Sequence, residues 1–154
     1  MAFYSRKPTR IPGFDYSSQN YYFITICTFE KNCIFGTVGN LNWYGKTAYE
    51  DLLQIEKHFS NVRIDNCIVM PNHIHAIIAI DGASDVSLDQ IIGIYKSGVT
   101  RKIRQKQPNI KVWQRSFHDH IIRNQKEYEQ IWQYVQFNGQ KWEQDCFYSK
   151  MDNN

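Results

Sequence analysis

The sequence lacks the long apolar run that would cross a membrane. No stretch of the 154 residues approaches the ~18 to 20 consecutive apolar positions that a transmembrane helix needs. Residues 1–7 also lack the apolar segment of a secretory signal. We therefore expect a soluble, cytoplasmic protein with no membrane partner.

Cysteine is sparse and is not arranged for metal binding. The chain has 4 cysteines, and none of them forms a CxxC pair: Cys27, Cys33, Cys67 and Cys146. Their spacing suits neither a zinc ribbon nor a compact disulfide framework. We expect reduced thiols.

Charge is close to balanced. The net charge is +3 and the isoelectric point is about 8.6, which permits a nucleic-acid partner without requiring one.

Hydrophobic residues make up 42% of the chain, which is enough for the core of one domain. Aromatic residues reach 15%; such side chains can stack on unpaired bases, but more often they fill a core.

The apolar pattern predicts elements in the order β-α-β-β-α-β-α. Strands are expected where aromatic and β-branched residues are frequent, at 21–29, 61–70, 73–80 and 119–122. Helices are expected where apolar residues recur at helical spacing, over 46–59, 87–104 and 125–137. Ser84 or Ser87 is the expected N-cap of the second helix, and Gly139 the expected stop of the third.

Two β-α-β halves around a hairpin predict a ferredoxin-like α+β fold. This is a βαββαβ antiparallel sheet with helices on one face, followed here by a C-terminal helix that carries Tyr134. We expect one domain over 21–142, after an irregular basic arm at 1–20 and before a polar tail at 143–154.

Two histidines stand at alternate positions of the third predicted strand. Alternation places His73 and His75 side by side on one face, where two neutral imidazoles can bind one divalent cation. An isolated pair of this kind is more often a pair of surface or core histidines. The spacing alone therefore does not establish a metal site.

The last predicted helix carries Tyr134 and Asn138 on one face, four residues apart. The amide oxygen of Asn138 could reach a cation held by the histidines, with the Tyr134 phenol beside it. A phenol with a pKa near ~10 needs such help to act as a nucleophile. The alternative is that Ile131, Tyr134 and Val135 are simply core residues at helical spacing.

Four motifs in order resemble those of the single-tyrosine HUH transposases of insertion sequences. They are MPNHIHA at 70–76, YKSGVTR at 95–101, WQRSFHDHIIRN at 113–124 and YVQFN at 134–138. The sequence is most similar to the REP-associated tyrosine transposase branch. It departs from the family pattern at Gly139, where proline is common.

The resemblance implies a metal-dependent enzyme that nicks and rejoins single-stranded or hairpin DNA. It implies that His73, His75 and Asn138 bind Mg²⁺ or Mn²⁺ and that Tyr134 attacks a phosphodiester. The implied product is a 5′-phosphotyrosine with a 3′-hydroxyl on the other strand end. Relatives act either as homodimers or as monomers, so a homodimer is one possible state.

Basic residues in and after the second helix are expected to contact phosphates, or else to form a solvated helix face. These positions are Lys96, Arg101, Lys102, Arg104 and Lys106. Arg115 and Arg123 flank the fourth strand and are expected to contact DNA in the same way.

A second histidine pair, His118 and His120, lies in the fourth strand. His120 is expected to be structural or to contact DNA rather than to bind metal. Tyr128 is a less suitable nucleophile than Tyr134, because the residue four positions later is Trp132.

Two other functions stay open at this stage. One is a DNA-binding protein of the same fold that no longer cuts. The other is an HUH nuclease or replication initiator, in which related chemistry serves replication.

Overall fold

Four antiparallel strands form the main sheet, in the spatial order β4-β5-β1-β6. Their bounds are Asn20–Cys27 for β1, Val62–Met70 for β4, His73–Ile80 for β5 and His118–Ile122 for β6. In this computed structural model the described residues are 20–82 and 86–144. The expected arm up to residue 19, Ser84, and the expected tail from residue 145 lie outside them.

Three helices complete the fold: α1 Trp43–His58, α2 Leu88–Lys106 and α3 Gln125–Phe137. A small ribbon of β2 Gly36–Thr37 and β3 Asn40–Leu41 precedes α1, and the sequence pattern did not predict it. The α+β fold and the order of the main elements are confirmed. None of the helices in the described segments is long and apolar enough to cross a membrane.

The ends of the helices follow from local chemistry. The Ser87 hydroxyl accepts from the backbone N–H of Gln90, and the Gln90 side chain accepts from the backbone of Ser87, which forms a capping box at the start of α2. Ser87 is thus the N-cap. The α3 helix ends at Phe137, and the chain continues through Gly139 as a 3₁₀ segment, Asn138–Gln144. The α-helix thus ends just before Gly139, as expected, although Gly139 continues in the 3₁₀ segment and does not adopt the left-handed conformation of a glycine cap.

Alternation along β1 and β5 gives the sheet two buried faces. Tyr22, Ile24 and Ile26 of β1 lie in the main core with Ile74 of β5, against α1 and α2. The intervening side chains face the other side. Phe23 and Ile77 pack there against α3.

The two faces differ in the size of their cores. The α1–α2 face collects most of the buried apolar side chains, whereas α3 buries only Ile131 and Val135. The histidine pair lies on the α3 face, because His73 and His75 alternate with Ile74. The larger core therefore stabilises the sheet that presents these histidines.

A buried hydrogen bond joins the two helices of the main core. The Tyr95 hydroxyl of α2 donates to the Ala48 carbonyl of α1 over 2.7 Å. Burial raises the pKa of the Tyr95 phenol well above its ordinary value, and the charge of Asp51 raises it further. The phenol thus stays protonated in the folded protein at pH values where an exposed tyrosine ionises.

Tyr95→Phe should lower the free energy of unfolding by about 1 kcal/mol at neutral pH, because it removes this buried hydrogen bond. Above pH ~10 the unfolded wild type gains stability by ionising Tyr95, whereas the folded state does not. The gap between wild type and variant should therefore narrow as the pH rises past ~10. Urea unfolding measured across this range tests it, and a constant gap would contradict it.

Candidate active site

The imidazoles of His73 and His75 meet on the α3 face of the sheet. Their Nε2 atoms lie 3.1 Å apart, and their rings are almost fully buried, with exposed fractions of 0% and 1%. His73 is the first residue of β5 and follows the two-residue turn at Pro71 and Asn72. The end of the β4–β5 hairpin thus holds the pair in place.

Neighbouring polar groups orient both rings. His73 Nδ1 lies 2.7 Å from Asn72 Oδ1, and His75 Nδ1 lies 2.9 Å from Thr25 Oγ1. When Nδ1 donates to the oxygen, the Nε2 atom keeps its lone pair. Hydrogen bonds to the outer nitrogen that fix the tautomer are characteristic of histidines that bind metals.

The α3 helix places Tyr134 beside this pair within the same chain. The Tyr134 ring centroid is 5.3 Å from that of His75 and 5.9 Å from that of Phe23. Ile131 and Val135 anchor the same helix in the small core. The face of α3 that carries Tyr134 therefore points to the face of β5 that carries His73 and His75, as predicted.

Asn138 follows the last residue of α3 as its C-cap and is buried, with an exposed fraction of 2%. Its backbone N–H donates to the Val135 carbonyl, but Oδ1 has no hydrogen-bond partner among the described residues. Leaving a buried acceptor unpaired costs about 1 to 3 kcal/mol. Such an atom calls for an explanation, and an ion is one of the usual ones.

These donors fit a divalent cation. Two ligand atoms at ~2.1 Å from an octahedral metal and at right angles are about 3.0 Å apart, close to the 3.1 Å between the Nε2 atoms of His73 and His75. Within residues 20–82 and 86–144 no group of three or more His, Cys, Asp and Glu side chains could hold a metal. A third protein donor would therefore be a different type of group, such as the buried amide oxygen of Asn138.

Trp142 covers His73. Its ring stacks on that of His73, with the centroids 5.8 Å apart and the planes at 25°. It belongs to the 3₁₀ segment that follows Asn138. Because His73 is 0% exposed, a DNA phosphate reaches its Nε2 atom only if the groups that cover the ring move.

Side chains of a β-bulge in β4 hold α3 against the sheet. The register of β4 shifts between Ile64 and Asn66, and the Asn66 amide donates to the Trp132 carbonyl over 3.1 Å. The Tyr128 hydroxyl donates to Asp65 Oδ2 over 2.8 Å. Asp65 and Asn66 were not among the predicted functional residues, because no local pattern in the sequence marks a bulge.

Tyr128 is unsuited to nucleophilic attack. Burial and the hydrogen bond to Asp65 raise its pKa to about 12, so its phenolate is harder to form than that of an ordinary tyrosine. This agrees with the preference for Tyr134.

His120, at the other side of α3, pairs with Glu127 over 2.6 Å and so ties β6 to the first turn of the helix.

The second histidine pair lies on the same face as the first. Thr25 of β1 is the cross-strand partner of both His75 and His118, so His118 is two strands away from His75. A separation of two strands is about 10 Å. The structure therefore does not bring His118 into the donor set.

Three of the predicted DNA-contacting residues on α2 have partners within the protein. Lys96 Nζ donates to the carbonyls of Gln114 and Ser116, Lys102 pairs with Asp51 over 2.5 Å, and Arg104 Nε donates to the Ile110 carbonyl. All three lie on a helix that packs on the face opposite the histidines.

Three predicted arginines are exposed, and no hydrogen bond or ion pair of their side chains is found in the described part of the chain: Arg101, Arg115 and Arg123. Arg115 follows Gln114, whose backbone N–H donates to the Cys27 carbonyl. Cys27 is the cross-strand neighbour of His73 in the sheet. Arg115 thus lies at the histidine end of the sheet. The predicted DNA-contacting residues do not form a single patch.

Comparisons with known proteins identify the family. A family model described as "Transposase IS200 like" matches residues 16–138. The chain therefore belongs to the IS200-like transposase family. An uncharacterized protein of Haemophilus influenzae is 35% identical over an alignment of 167 positions, which covers 93% of each chain.

Solved structures share the fold. A REP-associated tyrosine transposase bound to a REP hairpin matches with a TM-score of 0.60 at 16% identity, over 86% of this chain and 73% of that one. A putative transposase from Deinococcus radiodurans matches with a TM-score of 0.54 at 15% identity, over 82% of this chain and 95% of that one.

Two buried asparagines offer a matched test of the unpaired oxygen. Asn138→Leu removes an acceptor that has no described partner, so the free energy of unfolding without metal should stay the same or rise. Asn72→Leu removes hydrogen bonds to His73 and to the Lys31 carbonyl and should cost about 1 to 3 kcal/mol. Urea unfolding in a chelating buffer measures both. Equal losses in the two variants would contradict this account.

Proposed function

We propose that this transposase cuts and rejoins single-stranded DNA through a 5′-phosphotyrosine on Tyr134. His73, His75 and Asn138 are the proposed ligands of Mg²⁺ or Mn²⁺. The single observation that carries the proposal is the position of the Tyr134 ring, 5.3 Å from that of His75 in the same chain. The unpaired Oδ1 of Asn138, one turn further along, supports it.

The proposed reaction balances without an added energy source. The Tyr134 hydroxyl loses its proton, its oxygen attacks the phosphorus, and the bond from phosphorus to the 3′-oxygen breaks. The leaving oxygen takes up a proton and becomes a 3′-hydroxyl. A 3′-hydroxyl later attacks the phosphotyrosine, which restores a phosphodiester and the free tyrosine.

The residues around Tyr134 prepare this step. A bound divalent cation would supply Lewis-acid stabilisation of the charge that develops on a non-bridging phosphate oxygen. Asn72 and Thr25 orient the two imidazoles. Phe23 packs edge-to-face against Tyr134 and limits the positions of its ring.

Single-stranded DNA with a hairpin is the proposed substrate. The structural relative described as bound to a REP hairpin supports this choice. Arg101, Arg115 and Arg123 are the proposed phosphate contacts, because their guanidinium groups are exposed and have no described partner. Lys96, Lys102, Arg104 and His120 would act mainly through the protein contacts described above.

A protein that only binds DNA is the second candidate function. It needs the fold but not the close approach of Tyr134 to His75, and that approach favours the enzyme. A nuclease or replication initiator would form the same covalent intermediate. Rejoining of two strand ends by the purified protein separates transposition chemistry from cleavage alone.

Tyr134→Phe should abolish the covalent protein–DNA adduct and leave DNA affinity within about twofold, because it removes only the attacking oxygen. The measurement is a denaturing gel after incubation with hairpin oligonucleotides that carry single-stranded flanks, in the presence of Mn²⁺. Tyr128→Phe on the same helix is the matched control and should still form the adduct. An undiminished adduct in Tyr134→Phe would place the nucleophile elsewhere.

His73→Ala should lower the cleavage rate with Mg²⁺ or Mn²⁺ by about 100-fold or more, because it removes a direct metal ligand. His118→Ala on the same face should lower it far less, since His118 is two strands from His75. Single-turnover cleavage rates as a function of metal concentration measure the difference. Equal losses would mean that the first histidine pair is not the metal site.

A further inference from the structure

A cavity of about 510 Å³ lies at the beginning of α3, away from Tyr134. Its walls include Tyr21, Arg63, Asp65, Ile122, Arg123 and Tyr128. The volume is within the range of ~300 to 1,000 Å³ that is usual for small-ligand sites. None of the proposed catalytic residues lines it.

The cavity opens on the α3 face of the sheet, which also carries the histidine pair. Tyr21 alternates with Tyr22 and so shares its face with Phe23 and Thr25, and Thr25 contacts His75. Tyr128 precedes Tyr134 by six residues of α3, or about 9 Å along the helix. A DNA strand that crosses Tyr134 can therefore extend into the cavity.

The charges in the cavity leave one cation available. Arg63 forms ion pairs with Asp65, at 3.4 Å, and with Asp81, so its guanidinium is already engaged within the protein. The Arg123 side chain is exposed and has no partner in the described part of the chain. The nearby Glu127 carboxylate is paired with His120. Arg123 can thus contact a phosphate.

The aromatic residues of the cavity offer a platform for a base. The Tyr21 ring is 39% exposed and meets Tyr128 edge-on, with the centroids 5.4 Å apart. Tyr128 is itself fixed by its hydrogen bond to Asp65. Exposed aromatic rings beside arginine are the combination with which proteins bind single-stranded nucleic acid.

We infer that this cavity binds one unpaired nucleotide of the DNA flank, close to the phosphate that is cut. The base stacks on Tyr21, and the phosphate of the nucleotide contacts Arg123. This inference rests on the proposed function, since it takes single-stranded DNA as the substrate. It assigns the cavity a part in holding the flank, separate from the chemistry at Tyr134.

Binding of two DNAs tests the inference. One is a hairpin with single-stranded flanks on both sides, and the other is the same hairpin without flanks. Fluorescence anisotropy at one salt concentration, in a metal-free buffer, gives the affinities. Arg123→Gln and Tyr21→Ala should each weaken binding of the flanked hairpin about tenfold and leave the other hairpin unaffected.

Arg101→Gln is the matched control, because Arg101 is exposed and unpaired in the described structure but lies on α2, across the sheet. It should not discriminate between the two DNAs. Flank nucleotides can be replaced one at a time by abasic sites. At one position, the Tyr21→Ala substitution should then cause no further loss of DNA affinity. Unchanged affinity of Arg123→Gln for the flanked hairpin, or equal losses on both hairpins, would overturn the inference.

Adduct formation by the wild type separates this test from that of the proposed function. An adduct on Tyr134 together with unchanged binding by Arg123→Gln means that the cavity does not hold the flank, although the enzyme is as proposed. Absence of any adduct, with tenfold weaker binding of the flanked hairpin by Arg123→Gln, means that the cavity binds single-stranded DNA in a protein that does not cut it.

Discussion

The close approach of the two imidazoles on β5 is the constraint on which the candidate site on the α3 face depends. The Nε2 atoms of His73 and His75 point at each other across 3.1 Å in a buried place, and their outer nitrogens are held by Asn72 and Thr25. When both Nδ1 atoms donate, the two Nε2 lone pairs face each other and lose the hydrogen bond that another tautomer would form between them, so this arrangement needs a shared partner. A cation shared with Asn138 would provide one.

The fold divides stability and chemistry between the two faces of one sheet. The α1–α2 face carries the large apolar core, so the sheet does not depend on α3 for most of its burial. The α3 helix is docked by a small core and by polar contacts from Asp65, Asn66 and His120. The helix that presents Tyr134 is therefore the more weakly held part. A small displacement of α3 would change the distance from Tyr134 to the histidines without disturbing the main core.

Much of the fold, and the meeting of the histidine pair with Tyr134, could be predicted from local patterns. Alternation in β5 correctly placed His73 and His75 on one face of the sheet, and helical spacing correctly placed Tyr134 on the face of α3 that meets them. Ser87 carried the signal of a capping box, and it is the N-cap. In each case the pattern and its structural consequence lie within a few residues of each other.

Contacts between residues distant in sequence could not be predicted in this way. At the bulge, Asp65 and Asn66 form hydrogen bonds with residues of α3, which lies more than sixty positions later in the sequence. Lys96 carries the same charge as its neighbours on α2, yet its amine binds the carbonyls of Gln114 and Ser116. Only the packing of elements decides whether a surface cation faces solvent or another segment of the chain.

The most direct measurement is the position of Mn²⁺ in crystals of this protein, located by its anomalous scattering. The proposed metal site predicts one strong peak about 2.2 Å from His73 Nε2, His75 Nε2 and Asn138 Oδ1. It also predicts that the Tyr134 ring lies beside this peak in the same chain. A peak at His118 and His120 instead, or none at the first pair under saturating Mn²⁺, would contradict the account.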